Sequence, residues 1–390
     1  MIKIATRSRV YKMHPILEVG KKHVIIYGYA DILNYGKVMA SAKLALLKDS
    51  CFGKLFRNLV MYHRHSGIHP LFILYAASAF EIVKLLSLME YCDSNTRKMC
   101  HFQEKASRTI MPYNFTMLPN LERCRGSGKK LPVIVTTVLS VAKEYGTRQS
   151  IRRSWASRRH SRSIKNGLVV VFFILSATNS DNELLAVQRE QKLYGDIIMS
   201  DLVESYDNLV HKVHACMSFF TNYCREASFL MKADDDVAIH FDRLLDSFQV
   251  NSDSEEKLFC SILNNTEPIR VLNDKWYVSE SRWPLKFYPN YCNGPFYIIG
   301  REAVKRISKQ SLRFPVFTME DIFYTGILAG SLEIGLVNWK ARVLNHLEYP
   351  TIEVPLCDRY SSPQTIVYYP LSSPREMEEG FLKLKSDKCH

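Results

Sequence analysis

Phe229-Leu230-Met231-Lys232-Ala233-Asp234-Asp235-Asp236-Val237 is the stretch that decides the organisation of this chain. An apolar run feeds straight into three consecutive carboxylates. Like charges this close repel one another unless something positive lies among them. A strand ending in them sets them at a sheet edge or cleft rather than on a free tail. A hard divalent cation with oxygen ligands would relieve the repulsion, taking one or two carboxylates and completing its shell with phosphate oxygens and water. A donor whose leaving group is a diphosphate suits such a centre. Taken alone, the same three residues also fit a solvated acidic turn or a helix cap.

Upstream, the pattern alternates. Leu131–Ser140 (LPVIVTTVLS) and Val169–Leu175 (VVVFFIL) read as buried strands. Gly146–Ala156, Asn182–Tyr194 and Asp207–Cys224 read as helices, the second with acidic residues near its start and basic ones later. Ser228–Met231 is a short strand running into Asp234. Strand–helix alternation predicts an α/β layered domain with a central, mostly parallel sheet. Ligands of such sheets bind beyond the carboxyl ends of the strands, where the three aspartates fall.

Three further segments carry candidate chemistry. Glu320 and Asp321 open a predicted helix over 319–330, and a carboxylate there is placed to take a proton from a hydroxyl; charge at a helix N-terminus is favourable in its own right. Tyr288-Pro289-Asn290-Tyr291-Cys292-Asn293-Gly294-Pro295 reads as an aromatic loop entering a strand at Phe296–Ile299. Its tyrosines offer faces for sugar rings and Gly294 permits close backbone approach. Ordinary core and turn packing would use the same residues. Arg148 and Arg152 are four apart on the helix around Trp155, so both guanidinium groups share a face and suit phosphate oxygens. A solvated basic helix is the plainer reading.

The 390 residues carry a formal net charge of +13. Lys and Arg far outnumber Asp and Glu across residues 1–69. Neither that arm nor the Arg148–Arg162 cluster shows the aromatic interleaving of an RNA-binding sheet, so nucleic acid is not the expected partner. Ten cysteines are scattered with no C-x-x-C pair, leaving lumenal disulfides and buried free thiols both open. Asn114 and Asn264 head acceptor sequons for glycosylation. Residues 71–89 (LFILYAASAFEIVKLLSLM) are long enough to span a bilayer. Glu81 and Lys84 interrupt them at roughly 2.5–3.5 kcal/mol each near a helix centre, offset in part by their i,i+3 pairing. A buried amphipathic helix is the alternative. The expected order is a basic, cytosolic arm (1–70), a transmembrane helix (71–89), a stem (90–130), a catalytic domain (131–350) and a C-terminal extension (351–390). Translation from Met61 would leave only a short basic tail before the anchor.

Taken in chain order, these segments resemble the β-1,3-galactosyltransferase family, glycosyltransferase family 31, related to Fringe. The resemblance rests on R-x-x-I-R-x-S-W (Arg148, Ile151, Arg152, Ser154, Trp155), on Glu190 with Tyr194-Gly195-Asp196-Ile197-Ile198, and on Asp201 with Glu204-Ser205-Tyr206, Asn208 and Leu209. It continues through Lys232 with Asp234-Asp235-Asp236-Val237, Tyr288-Pro289 with Tyr291-Cys292 and Gly294, and Glu320-Asp321. It spans roughly residues 131–346.

The resemblance implies a GT-A-type nucleotide-sugar-binding domain, a UDP-galactose or UDP-N-acetylglucosamine donor, and Mn²⁺ at the aspartates. Asp236 would be the first metal ligand, with Asp234 sharing the metal or touching the donor. Asp235, Lys232, Arg148 and Arg152 would serve the donor, Asp321 would be the base with Glu320 beside it, and Tyr288, Tyr291 and Gly294 would face the acceptor. A single-pass type II anchor in the Golgi membrane and a glycan acceptor on glycoprotein or glycolipid also follow from it.

Departures are Ser176 for Gly, Ala238 for an aromatic, Phe296-Tyr297 where a second Gly is usual, and Val210, which removes a sequon. The Glu320-Asp321-Ile322-Phe323-Tyr324-Thr325-Gly326 spacing is one residue longer than the common one. Acidic clusters with a basic surface also fit a metal-dependent phosphotransferase or nuclease, and an inactive membrane protein could retain the fold.

Overall fold

A computed structural model of the chain describes residues 109–125, 132–248, 250–346 and 363–387, with Cys357 and Cys389, and the backbone of three short strands near the N-terminus. The chain divides into two compact units, residues 1–100 and 101–390. In the first, β1 (Ile4–Thr6) pairs antiparallel with β2 (Arg9–Tyr11) and parallel with β3 (Ile26–Tyr27). The segment 71–89 lies outside the described residues. Among the described residues no helix is long and apolar enough to cross a membrane.

The second unit is built on an eight-stranded mixed sheet. Its strands are β4 (Phe115–Met117), β5 (Ile134–Leu139), β6 (Val169–Ala177), β7 (Ile197–Val203), β8 (Phe229–Asp234), β10 (Leu258–Leu263), β11 (Tyr291–Gly300) and β12 (Leu336–Asn338), in the order β12-β10-β11-β8-β5-β6-β7-β4. The run β8-β5-β6-β7 is parallel, as the alternation predicts. β11 runs antiparallel to both β8 and β10.

Side chains alternate across the sheet. Val135, Leu139, Val170, Phe172 and Ile174 enter one core. Ile134, Val138, Val171, Phe173 and Leu175 enter the other. Helices α1 (Tyr145–Arg153), α2 (Asp181–Tyr194), α3 (Leu209–Tyr223), α4 (Arg301–Ser311) and α5 (Pro374–Ser386) cover the faces. α3 contributes Val213, Met217 and Phe220 to the first core. Ile151, Val187 and Met377 bring α1, α2 and α5 to the second. Both sheet faces are thus covered, which is why β5 and β6 read as continuous apolar runs rather than alternating ones.

Three boundaries differ from the sequence expectation. Residues 109–125, expected in the stem, supply edge strand β4 against β7, and Cys124 is bonded to Cys224. Residues 363–387, expected to be an extension, return to the same unit. β14 (Val367–Tyr369) pairs with β9 (Ala238–Ile239) and β13 (Val343–Asn345), and the buried Trp155 indole reaches Met377 on α5. Third, Tyr291–Pro295 lies within β11, not in a loop before it. Pairing with β10 through Leu263↔Tyr291 and Ile262↔Cys292, and the Cys260–Cys292 disulfide, draw the strand back past Gly294. Among the described residues Cys357–Cys389 is the third disulfide and Cys216 is a buried free thiol.

Candidate functional site

β8 ends at Asp234, at the carboxyl edge shared with β5, and the next two residues are the rest of the acidic run. Lys232, two residues earlier, is buried. Its ammonium donates to Gly294 O at 2.6 Å and pairs with Asp234 Oδ1 at 2.7 Å and Glu320 Oε1 at 3.0 Å. Burial alone would lower its pKa, but the Asp234 and Glu320 carboxylates outweigh that and hold it above the usual lysine range. The compensating positive charge that the three carboxylates call for is thus supplied in part by the chain itself.

Glu320 is also buried and accepts a 2.6 Å hydrogen bond from the Tyr297 hydroxyl. Burial pushes its pKa upward against the pull of Lys232. Asp321 is only partly exposed, and burial, reinforced by the charge of Glu320, pushes its carboxyl up to about 7. That value suits a group that takes up a proton near neutrality. A Cβ on Gly294 would lie 3.1 Å from Asp321 Oδ2, so glycine there leaves room for the carboxylate.

The helix carrying Asp321 continues as a π-helix over Ile322–Leu328. A π turn holds one more residue than an α turn, and this segment is one residue longer than the family spacing. Thr325 binds across it, donating to Asp321 O at 2.5 Å and accepting from Cys292 N at 2.8 Å.

Asp236 Oδ1 is buried without a hydrogen-bond partner. Burial, then the charges of Asp234 and Asp235, raises that carboxyl to about 6. Asp235 is raised as well, by burial first, with a hydrogen bond from the Ser140 side chain acting the other way. An orphaned buried carboxylate oxygen beside a partly exposed Asp234 suits a cation that keeps solvent or phosphate ligands. Among the described residues no group of three or more His, Cys, Asp or Glu side chains is placed to hold a metal ion, so a cation here would draw on one or two carboxylates.

The two arginines stand elsewhere than expected. Arg148 is fully buried and donates to Glu190 through Nε and Nη2, to Ser140 Oγ and Val141 O through Nη1, and to Ala142 O through Nη2. Its five N–H groups thus all meet protein acceptors, and it shapes the turn after β5 instead of reaching a phosphate. Arg152 is engaged by Asp196 and Glu190, with its guanidinium over the Phe173 and Tyr194 rings. The sequence expectation of direct phosphate contact overlooked Glu190 and Asp196, which lie about 40 residues downstream and give no local signal.

The tyrosines differ too. Tyr288 and Tyr291 are buried, and Tyr288 packs edge-on against Phe317 and Tyr291 and tilted against Trp283. Their rings support the site wall rather than offering faces to a sugar. Of the three acceptor candidates, Gly294 lies directly against the Asp321 carboxylate, and the buried Tyr288 and Tyr291 hydroxyls feel its charge. Lys212, absent from the sequence candidates, is buried on α3 and donates to Ser140 O at 2.6 Å and Glu204 Oε2 at 2.7 Å, bracing the same turn as Arg148. Asn114 is exposed with its amide donated to Asp201, and Asn264 is exposed just beyond β10.

A strand-end aspartate cluster is thus tied by one buried lysine to a second carboxylate pair, at the carboxyl edge of an α/β sheet, where such sheets bind their ligands. Relatives of known sequence give the family. The galactosyltransferase family model matches residues 146–340. Beta-1,3-galactosyltransferase 1 of Mus musculus is 30% identical over 253 residues, covering 63% of this chain and 75% of the relative. Beta-1,3-galactosyltransferase 5 of Gorilla gorilla gorilla is 30% identical over 236 residues, covering 60% and 76%. A solved glycosyltransferase involved in glycosylation of the major capsid of PBCV-1 matches 65% of this chain and 100% of its own at a TM-score of 0.36 and 11% identity. The chain belongs to the galactosyltransferase family and is a hexosyltransferase with a nucleotide-sugar donor.

Proposed function

We propose that this enzyme transfers galactose or N-acetylglucosamine from a UDP-sugar to a hydroxyl, the 3-OH, of an acceptor glycan, with inversion to a β-1,3 linkage. The observation that carries this reading is the Lys232 bridge. One ammonium joins Asp234, at the donor end, to Glu320, whose neighbour Asp321 is tuned to about 7.

In this reading Asp321 takes the proton from the acceptor hydroxyl as the oxygen attacks the anomeric carbon from the face opposite the diphosphate. Glu320, held by Lys232 and Tyr297, keeps the Asp321 carboxyl basic enough to do so. Gly294 gives the carboxylate room. Asp236, with Asp234 beside it, would hold a divalent cation, manganese by family resemblance, which supplies positive charge to the departing diphosphate. Asp235, Ser140 and the turn braced by Arg148 and Lys212 shape the donor side. A type II anchor in the Golgi membrane, with the catalytic unit lumenal, belongs to the same proposal; three disulfides are supporting features, since such bonds persist in oxidising compartments.

The test is Asp321→Asn. UDP binding should be retained while turnover falls by at least about a hundredfold, the lower range of a general-base contribution. Full activity in that variant refutes the assignment. A manganese-dependent screen of UDP-sugars for hydrolysis then decides which hexose is donated.

A further inference from the structure

With Tyr288 and Tyr291 buried, the exposed aromatic surface at this edge lies elsewhere. The segment between β10 and β11 leaves the sheet at the carboxyl end of β10 and returns through Tyr291, so it stands over the same edge as Asp234. Within it, Asp274 N donates to Val271 O at 3.0 Å, Trp276 N to Asp274 Oδ1 at 2.8 Å, and Val278 N to Ile269 O at 2.9 Å. This folded turn presents Val271, Leu272 and Trp276 to solvent at 66%, 76% and 49% exposure. Tyr206, on the turn after β7, is 41% exposed.

Lys275 joins the two turns. Its ammonium lies 4.9 Å from the Tyr206 ring centroid and 5.4 Å from that of Trp276. Its charge has no carboxylate partner among the described residues. The Tyr206 hydroxyl lies within electrostatic range of Asp321, Glu320 and Asp234, and Asp321 acts on it most strongly of the three. Lys275 ties Trp276 to this same tyrosine. A flat, exposed ring beside a proton acceptor is a surface on which a sugar packs its apolar face. Large apolar side chains so exposed next to it mark an interaction site.

We propose that Tyr206 and Trp276, clamped by Lys275, form the acceptor platform, and that the Val271–Leu272 shoulder takes the apolar aglycone of a lipid- or aryl-linked acceptor. The inference rests on the glycosyl-transfer reading above. It adds the acceptor class and four residues outside the motifs that carry the family resemblance, Val271, Leu272, Lys275 and Trp276, beside Tyr206, which lies within one of them.

The experiment compares methyl and octyl β-glycosides of galactose and of N-acetylglucosamine as acceptors for the full-length enzyme, with acceptor-free hydrolysis of the UDP-sugar measured in parallel. For the sugar that serves as acceptor, the octyl glycoside should have a KM about tenfold below the methyl glycoside, as expected if a few methylenes are buried. Leu272→Asp should erase that difference while leaving methyl-glycoside transfer and donor hydrolysis within about twofold. Trp276→Ala should raise KM for both acceptors about tenfold with donor hydrolysis unchanged, as expected for a stacked ring. Equal KM values for methyl and octyl acceptors, or a difference that survives Leu272→Asp, overturn the shoulder. An unchanged acceptor KM in Trp276→Ala overturns the platform. Absence of donor hydrolysis and transfer in the unmodified enzyme would instead sink the transferase reading itself.

Discussion

Lys232→Met tests the centre of the site. The side chain keeps its volume and loses its charge, so the loss can be worked from three contacts. The Asp234 partner has a side-chain exposure of 36% and is screened by solvent, so that pair contributes little to stability. The Glu320 partner has 4% exposure and Lys232 itself 2%, so removing the ammonium leaves a charge in low dielectric. Breaking a buried pair from one side costs roughly 3–5 kcal/mol. The abandoned Gly294 carbonyl belongs to the same loss and is not added separately. The expected result is a destabilisation of about 3–5 kcal/mol in urea unfolding at pH 7. Lys232→Met with Glu320→Gln should recover at least about 2 kcal/mol, because no unpaired buried charge then remains and an amide oxygen still accepts from Tyr297. A single variant losing less than about 1 kcal/mol, or a double variant no more stable than the single one, refutes the claim that the bridge is a compensated buried pair.

Asp236→Ala should abolish transfer and manganese-assisted UDP binding while preserving the fold, checked by calorimetry on material with an unchanged circular dichroism spectrum; undiminished metal-assisted binding contradicts its role. The rate should rise with pH through about 7, because Asp321 acts only when deprotonated and its carboxyl is raised to that value. A kcat/KM profile flat from pH 5.5 to 8 speaks against it as base. Gly294→Ala should lower kcat about tenfold or more with little change in melting temperature, since the added methyl would sit 3.1 Å from Asp321 Oδ2 and displace it. Arg148→Lys should destabilise by about 3 kcal/mol or more in urea titration, because a point charge cannot replace the bidentate contact with Glu190 and the bonds to the 140–142 turn.

The parallel half of the sheet was legible because β5, β6 and β8 are short apolar runs bounded by polar turns, and α2 starts and stops with ordinary cap chemistry. Its Ser180 side chain accepts from Glu183 N, and Gly195 takes the left-handed conformation after it. The carboxylates were legible for a similar reason, since a charged triplet after an apolar run has few stable explanations. What escaped was long-range pairing. Nothing local to Arg148 points to Glu190, and nothing local to Tyr291 shows that Leu263 will pair with it and bury its ring. Edge strand β4 reads as polar linker because it gains its stability from β7 and from the Cys124–Cys224 bond, one hundred residues apart. The return of α5 is equally invisible until Met377 is seen beneath Trp155.

The extra residue after Glu320-Asp321 has a structural answer in the π-helix. One residue added to an α-helix turns everything downstream by about 100°. That rotation would carry Gly326 away from Tyr291 and Pro289, where a Cβ would meet neighbours at 3.0 and 3.1 Å and only glycine fits easily. It would also swing Thr325 off Cys292 N. Both contacts are present, and Glu320 still reaches Lys232, so the insertion is absorbed between the two ends rather than passed on to either. The wide turn over Ile322–Leu328 thus keeps the base in register with β11 and the far end of the helix in register with its glycine contact. π turns inside helices recur at functional sites for this kind of reason. The longer spacing is therefore compatible with a site in which Glu320 stays on Lys232 and Thr325 on Cys292 N.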